Sequence, residues 1–114
     1  MFENIAIIGC GLIGSSILRA INKNNISKNI TVYDKSKEVL LYLKKENLNA
    51  KLKKDLPTTV ANADLIIIAA PLSSYEEIIS SIKDSTKKNA ILTDTGSAKI
   101  EINIIIEKFN LKDI

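Results

Sequence analysis

The chain has 114 residues, 46% of them hydrophobic and 25% charged, with a formal net charge of +3, one cysteine and no histidine; that suits one compact domain with its own core. A lone cysteine excludes an internal disulfide and points to a cytoplasmic setting. The longest apolar stretch, Leu65 to Leu72, falls far short of the roughly 20 residues of a membrane span, and no signal-type segment opens the chain. The positive balance is no argument for nucleic acid, because it is lysine interleaved with acids, Arg19 is the sole arginine and aromatics are 4%, whereas such recognition leans on arginine and stacking rings.

Apolar runs alternate with helical periods along the whole length, the pattern of a parallel sheet covered on both faces. Asn4 to Ile8 reads as a first strand, and Leu12 to Asn22 as a helix with Ile13, Ile17 and Ile21 at four-residue steps. Asn24, Asn25 and Ser27 break it. A second strand, Ile30 to Tyr33, ends at Asp34. Ser36 caps a helix running to about Glu46, with Val39, Leu40 and Leu43 inward. A short lysine-rich edge strand is expected near Ala50 to Lys53, and Pro57 opens a helix of one or two turns. "LIIIAA", Leu65 to Ala70, is a fourth strand stopped by Pro71. Ser73 or Ser74 begins a helix with Ile78, Ile79 and Ile82 inward. "AILTD" is a fifth strand, and a last helix is expected from about Ser97 to Phe109. The sum is an α/β, Rossmann-type doubly wound sheet of order 3-2-1-4-5, filling residues 1–114 as a single domain.

The chemistry concentrates at "GCGLIG". Gly9, Gly11 and Gly14 match the dinucleotide fingerprint, and each glycine has its own reason. The first makes the tight turn out of the strand, the second lets backbone approach a pyrophosphate, and the third lets helix lie close to strand. The helix amino end then offers N–H groups and a partial positive charge to the phosphates. An acid, Asp34, follows twenty residues after Gly14 at the end of the next strand. There a carboxylate accepts from ribose hydroxyls and repels a 2′-phosphate, which favours NAD over NADP, with Lys35 and Lys37 softening the discrimination. Asp34 is also well suited to serve as a turn residue ahead of the next helix. Cys10, with no histidine to activate it, reads as a packing residue. Ser97, in "TDTGSAK", reads as a helix N-cap whose hydroxyl is also placed to reach a substrate near the nicotinamide.

Taken in order, "IAIIGCGLIGSSI", "VYDKS", "ADLIIIAAPL" and "ILTDTGSAK" resemble the amino-terminal, nucleotide-binding half of prephenate and arogenate dehydrogenases. The closing Asp-x-Gly-Ser-x-Lys is the most discriminating piece. The resemblance implies oxidative decarboxylation of a cyclohexadienyl acid on the route to tyrosine, with hydride passing to the nicotinamide. It implies that Gly9, Gly11, Leu12, Ile13 and Gly14 hold the diphosphate, that Asp34 holds the ribose, and that Ala70 and Pro71 line the crevice. Ser97 would hydrogen-bond near the substrate hydroxyl and the nicotinamide; Lys99 matches the family without an assigned role.

In that family a histidine beyond the last helix takes the substrate's hydroxyl proton, and a sixth strand and a helical domain follow. That domain binds the substrate and forms the homodimer. We therefore expect these parts to be missing from residues 1–114, and little turnover from the chain alone. A second apolar stripe on the last helix, Ile100, Ile104 and Leu111, points the same way: it needs a cover, from the absent segment or a partner subunit. Two alternatives stay open: a stand-alone, non-catalytic NAD-binding module, and a beta-hydroxyacid-type dehydrogenase domain.

Overall fold

The computed structural model describes residues 3–9, 11–46 and 48–94. Five parallel strands form one sheet in the order β3-β2-β1-β4-β5, as the sequence predicts. They are β1 (Asn4–Ile8), β2 (Asn29–Tyr33), β3 (Lys51–Leu52), β4 (Leu65–Ile68) and β5 (Ile91–Asp94). Four helices connect them: α1 (Leu12–Asn24), α2 (Lys37–Lys45), α3 (Leu56–Val60) and α4 (Tyr75–Ile82). The expected helix from Ser97 to Phe109, with its second stripe at Ile100, Ile104 and Leu111, lies outside the described residues, as do Cys10 and Lys99.

The layers follow from strand alternation. Side chains of successive residues in a strand point to opposite faces, so Ile5 and Ile7 of β1 pack with Leu18 and Ile21 of α1 and Leu43 of α2. Ala6 and Ile8 pack on the other side with Val60 of α3 and with Ile78, Ile79 and Ile82 of α4. β1 is buried throughout residues 5–8 because it is the central strand of a sheet covered on both faces.

Helix ends are set by local chemistry. α1 runs two residues beyond the predicted Asn22 because Asn24 Nδ2 donates to Ala20 O at 2.8 Å, and the left-handed turn at Asn25 (φ 51°) then stops it. Ser36 accepts from Val39 N at 3.4 Å to cap α2, as expected. Asp55 caps α3 by accepting from Thr58 N at 2.8 Å, with Pro57 in the first turn.

Two further boundaries differ from the sequence reading. β4 stops at Ile68, not Ala70. Ala69 N still donates to Ile8 O at 2.8 Å, but Ala70 meets the turn at Gly9 and the chain is deflected there. α4 begins one residue after Ser74, which gives no side-chain cap; a 3₁₀ turn at Leu72–Ser74 leads into it, closed by Ser74 N donating to Pro71 O at 2.9 Å. Among the described residues no helix is long and apolar enough to cross a membrane.

Candidate functional site

Strand register lines up one row of residues at the carboxyl edge of the sheet. Tyr33 pairs with Ile8, Ile8 with Ile68, and Ile68 with Asp94. The residues just beyond this row, Asp34, Gly9 and Ala69, therefore share the edge at which doubly wound folds bind ligands.

Gly9 turns the chain out of β1 with φ at +88°, a conformation that L side chains rarely adopt. Its N–H donates to Tyr33 O at 2.7 Å, which ties the turn to the strand end that carries Asp34. A Cβ placed on Gly9 would lie 2.9 Å from Ala70 N, so the turn also presses on the end of β4. Gly14 sits in the first turn of α1, and a Cβ there would lie 2.2 Å from Gly9 O. Only a glycine lets α1 come this close to the turn.

Gly11 differs from both. A Cβ built on it meets nothing within 4 Å among the described residues. Packing against the described residues therefore does not require a glycine here, and the space is open to a ligand. The ladder of α1 opens with Ser15 N donating to Gly11 O at 2.9 Å, which leaves the N–H groups of Leu12, Ile13 and Gly14 outside it. Open space above Gly11, beside a helix amino end, fits a diphosphate. The three glycines thus divide as the fingerprint requires: strained turn, open approach, close packing.

Asp34 Oδ1 accepts from Ser36 N at 2.8 Å, so the carboxylate serves the turn into α2, as one of its two sequence readings has it. Its place just beyond the end of β2 is on the same edge as the glycine turn. Ala70 and the exposed Pro71 follow β4 on the facing side of the crevice. The structure therefore brings Gly9, Gly11, Leu12, Ile13, Gly14, Asp34, Ala70 and Pro71 to one edge, while Ser97 lies outside the described residues. No group of three or more His, Cys, Asp or Glu able to hold a metal occurs among the described residues.

Sequence reasoning missed two side chains on this edge. Tyr75 opens α4 and is only 2% exposed; its hydroxyl faces the Asp94 carboxylate as a hydrogen-bond donor, and burial, then that negative charge, push its pKa up. Asp94 closes β5, and its Oδ2 is buried with no partner among the described residues. Tyr75 was concealed because it falls between a serine pair and a glutamate pair in "SSYEE", which reads as surface. Asp94 lies in "ILTDTGSAK", where no local pattern gives its side chain a role.

Comparison with known proteins agrees with this geometry. Cyclohexadienyl dehydrogenase of Zymomonas mobilis is 34% identical over 102 residues, which are 90% of this chain and 35% of that protein. Prephenate dehydrogenase of Lactococcus lactis is 36% identical over 101 residues, 88% of this chain and 28% of that protein. The chain thus spans about a third of the length of these relatives. A solved structure of prephenate dehydrogenase from A. aeolicus, in complex with hydroxyphenyl propionate and NAD+, shares the fold with a TM-score of 0.82 at 18% identity, over 96% of this chain and 38% of that one. Residues 4–97, which carry the glycine turn, the acid after β2 and the end of β4, match the family model for coenzyme F420-dependent NADP oxidoreductases, and the chain belongs to that family.

Proposed function

We propose that this chain is the NAD-binding part of a prephenate or arogenate dehydrogenase in tyrosine biosynthesis, the reaction being, for prephenate, oxidative decarboxylation to 4-hydroxyphenylpyruvate. The observation that carries the reading is the division of labour among Gly9, Gly11 and Gly14, joined to the similarity to two curated dehydrogenases of this kind. When bound, the nicotinamide accepts the hydride that leaves the substrate. The chain's own residues bind and orient. The turn at Gly9 and the first N–H groups of α1 hold the diphosphate, Asp34 takes the ribose hydroxyls, and Ala70 and Pro71 wall the crevice. Ser97 is assigned the hydrogen bond near the substrate hydroxyl.

The family's name speaks of NADP, but a carboxylate at position 34 opposes a 2′-phosphate electrostatically, so NAD is the preferred nucleotide here. The chain has no histidine, so a histidine base of the sort the resemblance implies would come from residues outside these 114. A positioned general base is worth roughly 10²–10⁴ in rate, and residues 1–114 alone are therefore expected to bind the nucleotide with little turnover. A small-molecule substrate, a helical domain or partner subunit, a homodimer and a cytoplasmic location complete the proposal.

The test has two stages. Titration with NADH, followed by fluorescence, is expected to saturate at micromolar to millimolar concentration; no binding at millimolar NADH refutes the reading. Addition in trans of the helical part of a prephenate dehydrogenase, with prephenate and NAD, is then expected to yield NADH absorbance. Binding without any turnover in that mixture favours the non-catalytic module.

A further inference from the structure

The β4–β5 side of the ligand edge holds a pair of side chains that the glycine turn does not explain. We propose that Tyr75 and Asp94 are positioning residues that brace the crevice wall against the nicotinamide end of the cofactor. This inference rests on the reading that the crevice takes a nicotinamide dinucleotide. In such a fold each half of the sheet serves one mononucleotide. Asp34, after β2, claims the adenosine side, so the ends of β4 and β5 fall to the nicotinamide.

The wall is the segment Ala69–Ser74. It is pinned at its start, where Ala69 and Ala70 lie against Gly9, and it is stiffened by the 3₁₀ turn in which Ser74 N donates to Pro71 O. Its far end is Tyr75, buried to 2% exposure. Leu92, two residues before Asp94 in β5, packs on the core face that α4 covers, so strand alternation sends the Asp94 carboxylate to the same face, where the Tyr75 hydroxyl meets it. Register sets Asp94 beside Ile68, one residue before the wall begins. The pair thus closes a loop of contacts: Gly9 turn, wall, Tyr75, Asp94, β5, β4 and back.

The Tyr75 hydroxyl accounts for one oxygen of the carboxylate and not for the other. Asp94 Oδ2 is buried without a partner among the described residues, and leaving a buried carboxylate oxygen unpaired costs stability. Such a cost at a ligand edge is explained by a role in the site.

The experiment compares binding of NADH with binding of ADP-ribose, which lacks the nicotinamide, for the wild-type chain and three variants, with circular dichroism to verify folding. Tyr75→Phe keeps the buried ring, and Asp94→Leu removes the carboxylate. Both are expected to weaken NADH by about fivefold to tenfold, the worth of one hydrogen bond, while ADP-ribose stays within about twofold, the scatter of independent sites. Asp94→Asn retains an acceptor for the Tyr75 hydroxyl and is expected to restore NADH binding. Asp94→Leu leaves the buried Tyr75 hydroxyl without its acceptor and is expected to melt below wild type, so its affinities are read only where circular dichroism shows it folded. Unchanged NADH affinity in folded Tyr75→Phe, or equal loss of NADH and ADP-ribose, overturns the inference while leaving the cofactor reading intact. Failure of the wild-type chain to bind either ligand removes both.

Discussion

Gly14→Ala and Gly11→Ala add the same methyl group three residues apart, and the structure gives them opposite consequences. At position 14 the new Cβ would lie 2.2 Å from Gly9 O and 3.1 Å from Gly9 C. Reaching even 3.0 Å requires α1 to retreat by about 0.8 Å, and the obstacle is backbone that cannot rotate away. Overpacking of this kind costs about 3 kcal/mol at the upper end of its usual range, offset by up to about 1 kcal/mol from the better helix propensity of alanine. The net loss of about 2 kcal/mol corresponds to a fall in melting temperature of roughly 8–16 °C for a domain of this size. At position 11 the methyl meets nothing within 4 Å among the described residues, so the melting temperature is expected to fall by less than half as much as for Gly14→Ala. Yet the methyl occupies the approach of the diphosphate, and NADH affinity is expected to fall by about tenfold or more. Differential scanning fluorimetry and NADH titration read the two effects separately. A Gly11→Ala protein that binds NADH like wild type refutes the placement of the diphosphate; a Gly14→Ala protein that melts like wild type refutes the close-packing account.

Gly9→Ala combines a left-handed backbone at φ +88° with a Cβ 2.9 Å from Ala70 N, and the conformation alone costs about 1–2 kcal/mol; its urea midpoint is expected to fall at least as far as that of Gly14→Ala, and an unchanged midpoint contradicts the turn. Asp64 accepts from Asn4 N at 3.0 Å and pairs with Lys87, and the Lys87 contact first, then the Asn4 N–H, hold its carboxyl below the ordinary 3.8. A depressed folded value means the stabilisation is complete above the unfolded value and is lost as pH falls through the folded one. Melting curves from pH 6 to pH 2 should therefore show Asp64→Asn below wild type at pH 6 and level with it at the acid end; a constant gap argues against ionisation as the cause.

What the sequence makes legible here is set by how each feature is encoded. The strand order follows from alternation of apolar runs with helical periods, and caps such as Ser36 are local signals that tertiary packing had no reason to override. The glycine turn is readable because it is made of backbone, and backbone demands glycine at fixed spacing. Tyr75 was not readable for the opposite reason. Its burial depends on β5 arriving beside β4 with Asp94 next to Ile68, a contact across nineteen positions of chain that no local pattern records. The early end of β4 has the same origin, since Ala69 and Ala70 have strand-compatible neighbours and are deflected only by the distant turn at Gly9.

Asp34 joins these two kinds of encoding, because one carboxylate serves the backbone and, in the proposed function, the ribose as well. Its Oδ1 accepts from Ser36 N at 2.8 Å, an Asx-type turn that asparagine reproduces and serine approximates. Its charge, by contrast, is what discriminates against a 2′-phosphate. Asp34→Asn therefore separates the roles: the turn into α2 persists, so melting should change by no more than about 0.5 kcal/mol equivalent, while the repulsion disappears. Affinity for NADH is expected to fall by about threefold to tenfold, since an uncharged acceptor holds ribose hydroxyls less well. Affinity for NADPH should hold or rise, with Lys35 and Lys37 next along the chain to receive the phosphate. Asp34→Ser should follow the same trend. Equal weakening of both nucleotides, accompanied by a lower melting temperature, would mean that the carboxylate acts through the turn alone, and the preference for NAD would then need another source.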